Sequence, residues 1–156
     1  MCGIIGAWWK LKPGNMDNLI AGGFEILNHR GPDDRGKDII ENNNGTLFLG
    51  QTRLSIIDLT EGGHQPMSTR DGNYTIVFNG EIYNYKELRV ELSALGHNFF
   101  TESDTEVLLV AWAEWGDACL HRLIGMFSFA IFDKKRGTLS LVRDAFGIKP
   151  LFYSHY

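Results

Sequence analysis

The sequence is poor in the features that mark disulfide-framework, membrane and nucleic-acid-binding proteins. Its 156 residues hold two cysteines, Cys2 and Cys119, too few for a disulfide framework and too far apart for a Cys-x-x-Cys metal pair. No apolar run approaches the ~18 residues of a membrane span; the stretch 126–132 is among the longest. No cluster of Lys or Arg offers a footprint for polyanions, and 15 basic against 19 acidic residues give a net charge of −4. Neither nucleic acid nor a membrane is expected as a partner. The N-terminus lacks the basic-then-apolar layout of a secretion signal, so a cytoplasmic location is expected. The histidines (His29, His64, His97, His121, His155) never gather at ligand spacing, and no metal is expected. No Pro/Ser-rich linker, repeat or shift in composition divides the chain, so one domain is expected over residues 1–156.

What is present is a globular composition: 44% hydrophobic, 22% charged and 12% aromatic, which excludes disorder, collagen-like repeats and a coiled-coil rod. The 18 glycines exceed the usual ~7% and are scattered, which points to tight strand ends and close backbone approaches. Residues 2–9 are an apolar run of strand length. Leu19, Ile20, Phe24 and Leu27 predict a helix over 16–29, stopped by the turn 29–34. Strands are predicted over 46–50, 51–58 and 74–79, the last breaking at Gly80. A helix over 85–95 places Leu88, Leu92 and Leu95 on one face, with Gly96 as its C-terminal glycine. Ser103-Asp104-Thr105-Glu106 has the form of a capping box, so Asp104 falls in a first helical turn. Residues 126–133 and 138–143 predict a hairpin whose first strand is apolar on both faces. Antiparallel strands apolar on both faces need cover on both sides, which two stacked sheets with helices outside them supply.

Several residues have chemistry beyond packing. Removal of Met1 would give Cys2 its own α-amine, whose ordinary pKa of ~7.7–8.0 suits it to take the thiol proton and return it. Nucleophile and base would then share one residue; an incidental cysteine is the alternative. Asn79-Gly80 supplies a carboxamide and a flexible backbone N–H of the kind that stabilises an oxyanion, although a plain turn uses the same pair. Arg53 lies in an otherwise apolar strand and needs a partner, either an internal carboxylate or that of a substrate. Asp104 suits a helix N-terminus, yet with Glu81 it could hold an ammonium group. Cys119 is expected to be a small buried apolar residue. Trp8, Trp9, Trp112 and Trp115 are expected to pack in the core or at an interface.

Residues 1–6 (Met-Cys-Gly-Ile-Ile-Gly), 29–34, 53–59, 65–67, 78–85, 102–109, 125–133 and 143–153 together resemble the glutaminase domain of glutamine-hydrolysing asparagine synthetases. Those are class II glutamine amidotransferases with the N-terminal nucleophile hydrolase fold. Arg-Gly-Pro-Asp at 30–33 and Gly-Ile-Lys-Pro at 147–150 resemble the asparagine synthetase branch in particular. The resemblance implies an α+β, four-layer α/β/β/α sandwich of two mainly antiparallel sheets flanked by helices, with a further strand pair in the family beyond the 147–153 stretch.

It also implies roles. Cys2 would attack the glutamine side-chain amide, and Asn79 with the Gly80 N–H would form the oxyanion hole. Arg53 would bind the substrate α-carboxylate, main-chain groups at Leu54 and Ile57 would line the pocket, and Glu81 and Asp104 would take the α-ammonium. No cofactor is implied for this domain. ATP and magnesium belong to an ATP-pyrophosphatase synthetase domain whose Ser-Gly-Gly-Leu-Asp-Ser loop does not occur in this sequence. The implied partners are glutamine and that ammonia-accepting domain; a sheet edge exposed where the further strand pair is missing would invite pairing with a second copy of the chain. Two other readings are a catalytically silent glutamine-binding or interaction domain, which would bind glutamine without forming glutamate, and a self-processing or peptide-cleaving relative. A pocket that reads both α-groups argues against the peptide.

Overall fold

The structure, a computed structural model, describes residues 2–54 and 61–155. Strands β1 (Gly3–Trp9), β2 (Asp34–Asn42) and β3 (Gly45–Arg53) form one sheet in the order β1-β3-β2. Strands β4 (Met67–Ser68), β5 (Tyr74–Ile82), β6 (Gly125–Asp133) and β7 (Thr138–Arg143) form the other in the order β4-β5-β6-β7. All of these pairings are antiparallel. Helix α1 (Met16–Leu27) covers the first sheet, and α2 (Tyr85–Ala94) and α3 (Asp104–Trp115) cover the second. The result is the expected α/β/β/α sandwich.

The period-2 alternation of the strands distributes side chains among three apolar layers. Met16, Ile20 and Phe24 of α1 meet Phe48 of β3, with the Phe24 and Phe48 rings edge-on at 6.0 Å. Phe127, Phe129 and Ile131 of β6 join Ile76 and Phe78 of β5 beneath Leu88, Leu92, Val107 and Leu108 of the helices. The opposite faces of the same strands place Val77, Ala130 and Phe132 against Leu47, Leu49, Ile4 and Trp8 between the sheets. A side chain such as Phe129, fully buried, contributes roughly 1.5–3 kcal/mol by leaving water.

Local chemistry sets the helix ends. Gly96 has φ +98°, and the pair of bonds His97 N–H to Leu92 O and Gly96 N–H to Ser93 O closes α2 as a Schellman motif. The Ser103 hydroxyl caps α3 by accepting the Thr105 N–H at 3.1 Å. The reciprocal half of the predicted capping box is absent. Glu106 accepts instead from the N–H groups of Phe100 and Thr101 and from the Thr101 hydroxyl, tying the preceding loop to the helix.

Four expectations are corrected. The two strands predicted over 46–50 and 51–58 are one strand, β3, through Arg53; 55–58 lie outside the described residues. Strand β5 does not break at Gly80 but runs on to Ile82. Gly80 sits opposite Phe127, where a Cβ would come within 2.3 Å of the Met126 carbonyl oxygen, so glycine serves close strand packing there. Leu19 and Leu95, expected on buried helix faces, are exposed. Strands β2 and β4 carry no strong apolar alternation and were not anticipated.

Candidate active site

The layer between the sheets changes character along its length. At one end lie Trp8, Leu47, Leu49, Val77, Ala130 and Phe132. Continuing each strand with the same parity brings Cys2 ahead of β1, Gln51 and Arg53 on β3, and Asn79 and Glu81 on β5 to the other end. There they line a cavity of about 110 Å³, together with Leu54, Gly80, Asp104, Met126 and Lys149. Of the candidates named from the sequence, Cys2, Arg53, Leu54, Asn79, Gly80, Glu81 and Asp104 share this one pocket. Ile57 lies outside the described residues. A larger cavity of about 760 Å³ beside β4 and α3 holds none of them.

Each group is positioned by the chain around it. The Cys2 thiol is half-buried and donates to the Leu54 carbonyl oxygen at 3.7 Å, spanning the start of β1 and the end of β3. Gly3, paired with Thr52, keeps this approach open, since a Cβ would meet the Thr52 hydroxyl at 2.8 Å. Arg53 is buried at the last position of β3 and packs against Gly63, where a Cβ would lie 1.9 Å from a guanidinium nitrogen. Asp104, buried in the first turn of α3, accepts the Ile82 N–H at 3.0 Å. Burial pushes its pKa up to about 6; backbone N–H donors oppose that rise and the nearby Glu81 charge adds to it.

The free edge of β5 carries a pattern of its own. The Phe78 N–H is taken by the Gln65 side chain at 2.6 Å and the Phe78 carbonyl by Gln51 at 2.7 Å. The Ile82 N–H goes to Asp104. These groups face away from β6, and Gly80, midway between them, points its N–H the same way by the two-residue period of the strand. That N–H is therefore directed at the pocket, beside the buried Asn79. Gln65 also donates to the Thr105 hydroxyl at 3.0 Å, which locks the β5 edge to α3.

Sequence reasoning missed Gln51, Gln65 and Lys149 as pocket walls. Lys149 lies in the 147–150 motif, and its buried placement follows from Asp144. The Asp144 carboxylate accepts four backbone N–H bonds, from Phe127, Phe146, Ile148 and Lys149, at 2.9–3.2 Å. An acidic residue followed by a glycine-containing turn was the available signal. Burial works to raise the Asp144 pKa, and these bonds outweigh it, so the pKa lies below the usual carboxylate value. Cys119 is buried as expected, its thiol pushed up to about 12 by burial. Among the described residues no helix is long and apolar enough to cross a membrane, and no three His, Cys, Asp or Glu side chains gather as a metal site.

With this geometry in view, the chain can be placed among known proteins. The family model described as "Glutamine amidotransferase domain" matches residues 1–156. Asparagine synthetase [glutamine-hydrolyzing] 1 of Bacillus subtilis (strain 168) is 45% identical over 99% of this chain, a match that covers 24% of that protein. The putative asparagine synthetase [glutamine-hydrolyzing] 2 of Methanocaldococcus jannaschii is 42% identical over 83% of the chain and 27% of its own length. The chain thus spans about a quarter of the length of these curated relatives. Among solved structures, glutamine phosphoribosylpyrophosphate amidotransferase from B. subtilis, complexed with ADP and GMP, shares the fold. It superposes with a TM-score of 0.67 at 20% identity over 88% of this chain and 36% of its own. On the whole-length family match, the chain belongs to the glutamine amidotransferase domain family.

Proposed function

We propose that this domain hydrolyses the side-chain amide of glutamine to glutamate and ammonia through a thioester on Cys2, and that it supplies the ammonia to a synthetase domain. The observation that carries the reading is the convergence, at the polar end of one inter-sheet layer, of a thiol at position 2, a guanidinium, two carboxylates, a carboxamide and an inward-pointing backbone N–H.

After Met1 is removed, the Cys2 α-amine takes the thiol proton and the sulfur attacks the amide carbon. The tetrahedral oxyanion is met by the Asn79 carboxamide and the Gly80 N–H. The C–N bond then breaks, the proton passes to the leaving nitrogen, and ammonia departs. Water, deprotonated by the same amine, attacks the thioester; glutamate leaves and the thiol regains its proton. Arg53 holds the substrate α-carboxylate as a planar, bidentate donor. Glu81 and Asp104 take the α-ammonium, and Leu54 walls the pocket. Free ammonia is mostly protonated in neutral water and is then no nucleophile, which favours a directly coupled acceptor. In this reading the domain uses no cofactor, ATP and magnesium act in the synthetase domain, and the reaction is cytoplasmic.

The test is glutamate release by the full chain, with removal of Met1 verified by intact mass. Cys2→Ala and a variant with an unprocessable residue ahead of Cys2 are both expected to lose turnover. Retained turnover in either overturns the mechanism. Calorimetric glutamine binding by processed wild type without glutamate formation overturns the hydrolytic reading in favour of a binding domain.

A further inference from the structure

On β6, Ser128 is fully buried and its hydroxyl has no hydrogen-bond partner. A buried hydroxyl left in this state is destabilising, so its retention requires an explanation. The strand register supplies one. Ser128 lies directly opposite Asn79 of β5 and Arg143 of β7. By parity all three side chains project from the same face of the sheet as Val77, Ala130 and Phe132, Ser128 and Asn79 buried and Arg143 exposed on the edge strand. The Arg143 guanidinium is committed through Nε to the Lys149 carbonyl at 2.9 Å and through Nη2 to the Gly147 carbonyl at 2.6 Å. Asn79 is the polar neighbour on the other side. Directly opposed Cβ atoms stand about 4.5–5.5 Å apart, close enough for rotation about the two side-chain torsions to bring hydroxyl and carboxamide into contact.

We propose that Ser128 is a positioning residue for the glutaminase reaction: in the substrate-bound state its hydroxyl donates to the Asn79 side-chain oxygen and holds the Asn79 NH₂ group toward the developing oxyanion. Ser128 lies behind Asn79 and does not itself line the pocket. The hydroxyl fixes which end of the carboxamide faces the substrate, since a flipped carboxamide would present an acceptor to an anion. The inference rests on the oxyanion role proposed for Asn79.

The test is a double-mutant cycle in the full, Met1-processed chain with Ser128→Ala, Asn79→Ala and both. Ser128→Ala is expected to lower kcat for glutamine about tenfold, less than the ~10²–10³ typical for an oxyanion donor itself, with KM changed less than twofold. In the Asn79→Ala background it is expected to cost nothing further. Its melting temperature is expected to hold or rise, because a buried unpartnered hydroxyl has been removed; a merely structural serine would not combine that with lost turnover. Unchanged kcat, a loss that multiplies with that of Asn79→Ala, or a lowered melting temperature overturns the inference and leaves the role of Asn79 standing. Full kcat in Asn79→Ala alone overturns the oxyanion reading, and this inference with it.

Discussion

The Asp104 carboxylate accepts the backbone N–H of Ile82 at 3.0 Å, joining the first turn of α3 to the last residue of β5. A single bond thereby fixes the helix N-terminus against the strand that carries Asn79, Gly80 and Glu81. It also places a buried carboxylate where its ionisation is unfavourable, and the first two predictions follow from that.

Replacing Asp104 by Asn keeps an oxygen for the Ile82 amide and removes the charge. The folded pKa of about 6 lies above the ordinary 3.8, so between these values the folded chain binds more protons than the unfolded one. Stability therefore falls as pH rises through that window and stays lower above it. At pH 7.5 Asp104→Asn is expected to melt higher, by an amount equivalent to roughly 2–3 kcal/mol. Its KM for glutamine is expected to rise at least tenfold. Thermal melts and steady-state kinetics on the same preparation check both.

Below pH 6 the wild-type carboxylate becomes neutral and, in the role proposed for it, no longer attracts the substrate ammonium. The KM for glutamine is expected to climb toward tenfold per pH unit as pH falls from 6 to 5. Asp104→Asn is expected to show no such rise over this range, which separates Asp104 from other acids in the pocket.

Gly80→Ala would bring its Cβ to 2.3 Å from the Met126 oxygen and 2.7 Å from the Phe127 Cα, both backbone atoms of the paired strand. The strands must shift, at a cost of about 1–3 kcal/mol, and glutamine turnover is expected to drop more than tenfold. Gly22→Ala in α1 is the matched control, since nothing lies within 4 Å of the added carbon. It is expected to stabilise the protein by about 0.5–1 kcal/mol without altering turnover, as denaturant titration and kinetics would show.

Asp144→Asn is expected to destabilise the 144–149 turn by about 1–3 kcal/mol, because an amide NH₂ must face backbone donors that now meet an acceptor. The wild-type carboxylate has a lowered folded pKa, so its stabilisation is complete above the ordinary 3.8 and disappears as pH falls through the folded value. The gap between wild type and variant in urea midpoint should therefore narrow on acidification below pH 4. An unchanged gap would count against the Asp144 hub.

Much of the layer order was legible because β6 states it outright. Phe127, Phe129 and Ile131 alternate with Ala130 and Phe132, and only a strand covered on both faces tolerates that. Arg53 stood out because a charge sat in an otherwise apolar strand, whereas Cys2, Asn79, Glu81 and Asp104, each open to an incidental, turn or helix-start reading alone, stood out only in combination and through the family resemblance. Strand β2 was not legible, since its residues are mostly half-buried or exposed and its pairing with β3 is a property of the ladder. Gln51 and Gln65 were missed for a related reason. They bond the edge of β5 where the two-residue β4 has ended, and no local pattern in 51 or 65 announces a partner at Phe78. Gly80 was misread because a glycine required by a neighbouring backbone looks, in sequence, like one required by a turn.

The inter-sheet layer has one more implication. Cys2 and Arg53 travel with one sheet, whereas Asn79, Gly80 and Glu81 travel with the other. The relative alignment of the proposed nucleophile and oxyanion donors would thus follow from how two ribbons lie across each other, with Trp8 packed edge-on against Phe132 as a pin between them at the far, oily end. Shaving that pin would blur the reacting geometry from a distance, without altering any residue that meets the substrate.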